Sequence, residues 1–229
     1  NRKTWDMLLN NPLAISSGFS GYDDNVGSML NQGMEFTMRA VIFEKPNFHW
    51  DATAMLSFNR NKVLSLTSGQ DVLNYGSMVI EVGKPIYTFY LSKSAGVSPA
   101  TGKQLYYCYY RYAVDEKGAM VTERCPEYVT DDVSLATMSK YYYGSRQPLF
   151  SGSIASNFTI FKDFDLSFLT TYSLGGRIMD GLYDSAMHVT YPGNNWHRNI
   201  LRRWQKPGDV TDIPMVEIGG SYASVGESL

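Results

Sequence analysis

The sequence predicts an all-β chain, part of the wall of a transmembrane antiparallel β-barrel with long extracellular loops, and three observations predict it. Four segments alternate apolar and polar residues for about 11 to 15 positions, where a barrel strand crossing a bilayer at a tilt needs about 9 to 11. Tight connections join these segments in pairs at one end, while the stretches 63–148 and 177–229 emerge together at the other. Aromatic residues make up 14% of the 229 residues, with 17 Tyr, 11 Phe and 4 Trp, a share suited to strands and to membrane-boundary belts rather than to a helical bundle.

The first segment, about 32–44, sets Met34, Phe36, Met38, Ala40 and Ile42 against Glu35, Thr37 and Arg39. The second, about 48–62, sets Phe48, Trp50, Ala52, Ala54, Leu56 and Phe58 against His49, Asp51, Thr53, Met55, Ser57 and Asn59. The third, about 149–160, opposes Phe150, Ile154, Phe158 and Ile160 to Ser151, Ser153, Asn157 and Thr159, and the fourth, about 164–176, opposes Phe164, Leu166, Phe168, Tyr172 and Leu174 to Asp165, Ser167, Thr171 and Ser173. A strand turns successive side chains to opposite faces, so each segment carries one oily and one polar face. A one-residue slip inverts a whole face, so even residues must oppose even ones. Pairing Ile160 with Phe164 leaves the loop 161–163, and pairing Ile42 with Phe48 leaves 43–47 with Pro46 in the turn, both ordinary hairpin lengths.

On this reading the even face meets lipid and the odd face lines the lumen, where Glu35, Arg39 and Asp51 point inward. Phe48, Trp50, Phe158, Phe161 and Phe164 gather by the tight turns, the depth of an aromatic girdle. The competing fold is a secreted β-sandwich, a carbohydrate-binding module or adhesin, whose strands also alternate but whose apolar faces fill a core. The two differ in where Phe36, Leu56, Ile154 and Phe168 point.

A net charge of −2 supplies no basic footprint for nucleic acid. No run of about 18 apolar residues is present, which excludes a transmembrane helix and leaves a barrel open. Cys108 and Cys125 fit a disulfide in an oxidising compartment and fit two free thiols equally well. His49, His188 and His197 are scattered, and no nucleophile-elbow, zinc-protease or phosphate-loop pattern occurs, so no catalytic residue is assigned and an enzyme is not expected. No metal-ligand spacing and no cofactor motif is found. The acidic stretch 115–132, with Glu116, Glu123, Glu127 and Asp131, is the place where a Ca²⁺ ion would sit between loops, although its spacing is not that of an EF-hand. Among the loop aromatics Tyr107, Tyr109, Tyr142 and Trp196 are the candidates for ligand or partner contact, since platforms of this kind recognise sugars and peptides.

Six stretches, "TWDMLLNNPLAISSGF", "NVGSMLNQGMEFTM", "FHWDATAMLSFNRNKVLSL", "GKPIYTFYLSKSAGVSPATGKQLYY", "SRQPLFSGSIASNFTIFKDFDLSFLTTYSLGG" and "RWQKPGDVTDIP", stand in the order and spacing of one family. They resemble the C-terminal barrel portion of SusC/RagA-type TonB-dependent outer-membrane transporters of Bacteroidetes. Gln32, Phe161 and Met215 depart from the residues usual there without touching the strand pattern. The resemblance implies a fragment of a 22-stranded barrel, with the plug domain and most of the barrel outside these residues, in the outer membrane of a Gram-negative bacterium. It further implies import of oligosaccharide or peptide nutrients, driven through TonB and aided by a SusD-like surface lipoprotein.

Overall fold

The computed structural model describes residues 1–6, 8–13, 15–25, 27–66, 71–187, 195–217, 219 and 225–226. In chain order the strands are β1 (Arg2–Thr4), β2 (Leu8–Pro12), β3 (Gly21–Asn25), β4 (Ser28–Lys45), β5 (Phe48–Ser65), β6 (Val72–Tyr75), β7 (Met78–Glu81), β8 (Thr88–Val97), β9 (Gln104–Val114) and β10 (Met120–Thr130). The helix α1 (Val133–Met138) leads to β11 (Lys140–Ser145), β12 (Phe150–Ile160) and β13 (Phe164–Leu174), and the helix α2 (Gly181–Met187) follows. The chain forms two compact units, residues 1–88 with 144–177, and 89–143 with 178–229.

The first unit is built on a five-stranded sheet in the order β1-β4-β5-β12-β13. Its register follows the alternation: Phe36 opposes Leu56, Leu56 opposes Gly152, Gly152 opposes Tyr172, and Ile160 opposes Phe164. The expected pairing of Ile42 with Phe48 gives way to a bulge. Val41 opposes Asp51 and Phe43 opposes Trp50, so Ile42 is the extra residue and Pro46-Asn47 is a two-residue turn. A bulge reverses parity beyond it. Phe43 is thereby delivered to the oily face, edge-on to Phe48 at 5.9 Å. Phe161 N–H donates to Asn47 O at 2.9 Å, so both tight turns lie at the same end of the sheet.

Beyond the apolar part of β5, the hairpin β6-β7 packs on the odd-numbered side. Val63, Leu73, Ile80 and Ile86 form a buried cluster there, with Met29, Leu66, Tyr75 and Val82 around it. Asn61 is buried among them with its polar atoms used: Oδ1 accepts from Ile86 N–H at 2.7 Å, and Nδ2 donates to Gln147 Oε1.

The stretch 63–148, expected as loop, is largely strand. The second unit contains the antiparallel ribbon β8-β9-β10 with α1 laid on one face, burying Tyr106, Cys108, Leu135 and Ala136. Its β9 sequence, "QLYYCYYRYAV", carries aromatics on both faces, so no oily-polar alternation announces a strand. Pro126 falls inside the β9-β10 register shift between Arg124 and Tyr128, where its missing N–H breaks no ladder bond. In 177–229, α2 and the short 3-10 turn Arg198–Arg202 break the expected loop, with Ile200 and Ile213 packed together.

The "SPATGK" turn is clasped by the segment around Trp204. Trp204 Nε1–H donates to Pro99 O at 2.9 Å, Gly208 N–H donates to the same carbonyl at 2.9 Å, and Met215 N–H donates to Gly102 O at 2.8 Å. Gly102 has φ +72° and lies under the indole, where a Cβ would come within 2.4 Å of the ring. Gly102→Ala is therefore expected to weaken the clasp by about 1 to 3 kcal/mol. Faster hydrogen exchange in 98–103 and 204–215, with the strands of the sheet unchanged, is the measurement that checks it.

Candidate functional site

Two surfaces and one side-chain cluster carry the candidate functional residues. The first surface is the even-numbered face of β4, β5, β12 and β13. Phe36, Leu56, Ile154 and Phe168 are 60%, 39%, 50% and 55% exposed and share no interior. Met34, Met38, Phe164, Leu166 and Leu174 are exposed with them. Such a continuous oily patch on one sheet marks an interaction surface rather than ordinary surface scatter. At the turn end Trp50 stacks on Phe158 at 5.4 Å, Phe48 lies 6.3 Å from Phe158, and Phe168 meets Phe158 edge-on at 6.1 Å.

The dimensions of this surface follow from the register. The row Phe48-Ile160-Phe164 bounds it at the turn end and the row Met34-Phe58-Phe150-Leu174 at the other. The ten steps from Phe48 to Phe58 span about 33 Å of strand, or about 25 Å along the normal at a tilt near 40°, the height of the apolar band of a barrel. The next even residues, Gln32, Arg60 and Lys62, are polar or charged.

The second surface is the odd-numbered face, and its centre is Asp51. Asp51 is only 7% exposed, because its neighbours close over it. Asn157 Nδ2 donates to Asp51 Oδ2 at 3.1 Å, Arg39 lies 3.7 Å from the same oxygen, and His49 Nε2 lies 3.6 Å from Oδ1. The other ring nitrogen of His49 meets Glu44 Oε2 at 3.1 Å. Register makes this cluster: Arg39 opposes Thr53 next to Asp51, and Asn157 opposes Asp51 directly. Of the three inward candidates the structure joins Arg39 and Asp51, while Glu35, opposite Ser57, stands apart and exposed. His49, Glu44 and Asn157 are the partners that alternation alone did not single out.

Replacing Asp51 with Ala orphans the Asn157 amide and removes the carboxylate beside Arg39 and His49, and is expected to cost about 1 to 2 kcal/mol, with the Arg39 share small because that side chain is solvated. Glu35→Ala is expected to cost less than about 0.5 kcal/mol. Chemical unfolding of the full-length protein in detergent compares the two.

The cluster lies in the second unit. Lys93 Nζ sits 4.3 Å from the Tyr107 ring centre and 5.2 Å from that of Tyr141, and 3.6 Å from Glu127 Oε2, which also accepts from the Tyr141 hydroxyl at 2.7 Å. Tyr109 meets Tyr141 edge-on at 5.4 Å, donates its hydroxyl to Lys140 O at 2.7 Å and carries the Arg124 guanidinium 5.1 Å from its ring. Burial, reinforced by hydrogen bonding with Tyr90, pushes the Tyr109 phenol well above its ordinary range. Burial and the bond to Glu127 do the same for Tyr141. Both remain neutral donors at physiological pH. Tyr142 pairs with Tyr90 at 4.7 Å and is exposed. Trp196 is exposed ahead of the 3-10 turn, and its ring makes none of the aromatic pairs that join the tyrosines. Tyr106 belongs to the core instead.

Cys108 and Cys125 are both free. Burial pushes the Cys108 thiol up, partly offset by its bond with Ser139. In the acidic stretch Glu123 pairs with Arg111, Glu127 with Lys93 and Asp131 with Lys103. Among the described residues no group of His, Cys, Asp or Glu is placed to hold a metal ion. His197 caps the 3-10 turn, accepting from Asn199 N–H at 3.1 Å, and His188 lies outside the described residues.

Comparison with known proteins follows the same lines. No family model matches the chain. It is 24% identical over 263 residues to TonB-dependent receptor P39 of Formosa agariphila, covering 95% of this chain and 24% of the relative. It is 25% identical over 205 residues to TonB-dependent receptor SusC of Bacteroides thetaiotaomicron, covering 86% of this chain and 19% of the relative. The solved structure of the RagAB peptide transporter superposes with a TM-score of 0.69 at 26% identity, over 96% of this chain and 23% of that one. The matches support a SusC/RagA-type transporter fragment. The chain spans about a fifth to a quarter of the length of those relatives. Its fold of mostly antiparallel strands with few helices agrees with the barrel expectation, and the exposed positions of Phe36, Leu56, Ile154 and Phe168 remove the sandwich alternative, which required them to meet in a core.

Proposed function

We propose that this chain forms part of the wall and the external ribbons of a TonB-dependent outer-membrane transporter that imports oligosaccharide or peptide nutrients. The observation that carries the reading is the oily band of the even face, about 25 Å high at barrel tilt, uncovered by protein and ended by charge at Arg60 and Lys62. Hydrocarbon is the solvent that such a band requires. The polar face with Asp51 at its centre then lines the lumen. The SusC and RagAB likenesses support a SusD-like lipoprotein as partner. The cluster of Tyr107, Tyr109 and Tyr142, with Trp196 further along the chain, supplies the rings for ligand or lid contact, because Tyr and Trp present large rigid contact area at low entropic cost.

Deleting the full-length gene should abolish cellular uptake of the fluorescent peptide or oligosaccharide that the wild-type strain imports, and dissipating the proton gradient should have the same effect. Uptake unchanged by deletion, across both substrate classes, overturns the reading. Purification in mild detergent should recover a surface lipoprotein with the transporter.

A further inference from the structure

The residues just past the oily band hold a second feature. β1 pairs with β4 so that Lys3 opposes Leu30, and Leu30 opposes Lys62 on β5; two residues down the strand Gln32 opposes Arg60. Directly opposed residues share a face, and steps of two along a strand keep it. Lys3, Arg60 and Lys62 therefore stand on the same face as Met34, Phe36 and Phe58, immediately above the band at the end away from the tight turns. Two strand spacings separate Lys3 from Lys62, about 10 Å. All three side chains are exposed, Lys3 lies 3.6 Å over the ring of Trp5, and among the described residues none of the three is ion-paired with a carboxylate.

Three unneutralised cations on an oily face, at the depth where hydrocarbon ends, have a definite chemical complement. Long basic side chains at that level extend into the headgroup layer, and Arg and Lys bind phosphate through charge-assisted hydrogen bonds. We propose that Lys3, Arg60 and Lys62 form a binding site for the phosphate of an anionic membrane lipid, with the acyl chains of that lipid lying on Met34, Phe36 and Phe58. The site rests on the reading of the even face as lipid-facing. It pins the strands at one depth and makes the annular lipid beside β4 and β5 selective.

The test uses the full-length transporter in detergent, offered phosphatidylglycerol or phosphatidylcholine at equal mole fraction, with retained lipid read by native mass spectrometry. Wild type should prefer phosphatidylglycerol, by about five-fold for each basic residue engaged and so up to about a hundred-fold for three. The variant K3Q/R60Q/K62Q should lose that preference, and K3R/R60K/K62R should keep it. A wild type without preference, or a glutamine variant that keeps it, overturns the site. Displacement of phosphatidylglycerol by excess inorganic phosphate also overturns it, by assigning the cations to a free anion. Should the glutamine variant fail to assemble, salt titration of the wild type decides, since a preference insensitive to salt is not electrostatic. Retention of neither lipid by the wild type refutes the membrane reading itself, whereas retention of both without discrimination refutes only the site.

Discussion

Leu56→Arg should abolish assembly of the full-length protein in the outer membrane. Leu56 stands in the row Phe36-Leu56-Gly152-Tyr172, inside the oily band two residues from its far row, and its side chain is exposed. An arginine on a barrel's lipid face costs about 2 to 4 kcal/mol at the midplane and less toward either edge of the band. Phe168→Arg, in the row Ala40-Ala52-Ser156-Phe168 nearer the middle of the band, should do the same. The control is Ser57→Arg. Parity alone makes Thr53 and Ser57 equivalent inward positions, but the register separates them: Thr53 faces Arg39 across the strands, while Ser57 faces Glu35 and would give a new arginine a carboxylate. Heat-modifiable mobility of membrane fractions measures assembly, and equal loss in Leu56→Arg and Ser57→Arg would contradict the assignment of the faces.

Gly152→Val should be equally damaging for a different reason. Gly152 is flanked by Leu56 and Tyr172, and the Tyr172 ring lies across it to donate its hydroxyl to Met55 O at 3.0 Å. This arrangement covers the gap left by a glycine and gives the phenol a protein acceptor on a face without water. A Cβ on residue 152 would come 2.0 Å from Met55 O and 2.5 Å from the Tyr172 hydroxyl. The backbone contact forces β5 and β12 apart, at a cost of about 3 kcal/mol or more. Removing the ring does not relieve it, so Tyr172→Ala should fail to rescue Gly152→Val. Tyr172→Phe, which loses one hydrogen bond, should cost only about 0.5 to 1.5 kcal/mol. Rescue by Tyr172→Ala would show that the ring rather than the carbonyl sets the constraint.

The sheet was legible in the sequence to the extent that a single face met a single solvent. Where oil lies on one side and water on the other, each strand repeats with period two, and Phe36, Leu56, Ile154 and Phe168 can be placed before any coordinates exist. The bulge at Ile42 was not legible, because Ile42 and Phe43 are both apolar and either satisfies the pattern. The ribbon β8-β9-β10 was missed for the opposite reason. α1 covers Tyr106 and Cys108 on one side while Tyr107 and Tyr109 pack against Lys93 and Tyr141 on the other, so both faces of β9 are aromatic and the period vanishes. The polar cluster was half visible. Arg39 and Asp51 announce themselves as charges on the polar face, but Asn157 reaches Asp51 from a strand more than a hundred residues away, and only the pairing of β5 with β12 reveals it.

In the five-stranded sheet β13 has one neighbour, and among the described residues β4 beyond its short contact with β1 has none on its outer side. In hydrocarbon every dangling amide costs several kcal/mol, so a row of them along both flanks makes an isolated ribbon of this kind untenable in a bilayer. Produced by itself, the 229-residue piece should zip to copies of itself or precipitate. Permanence in the membrane comes only when adjoining staves are laid on either side.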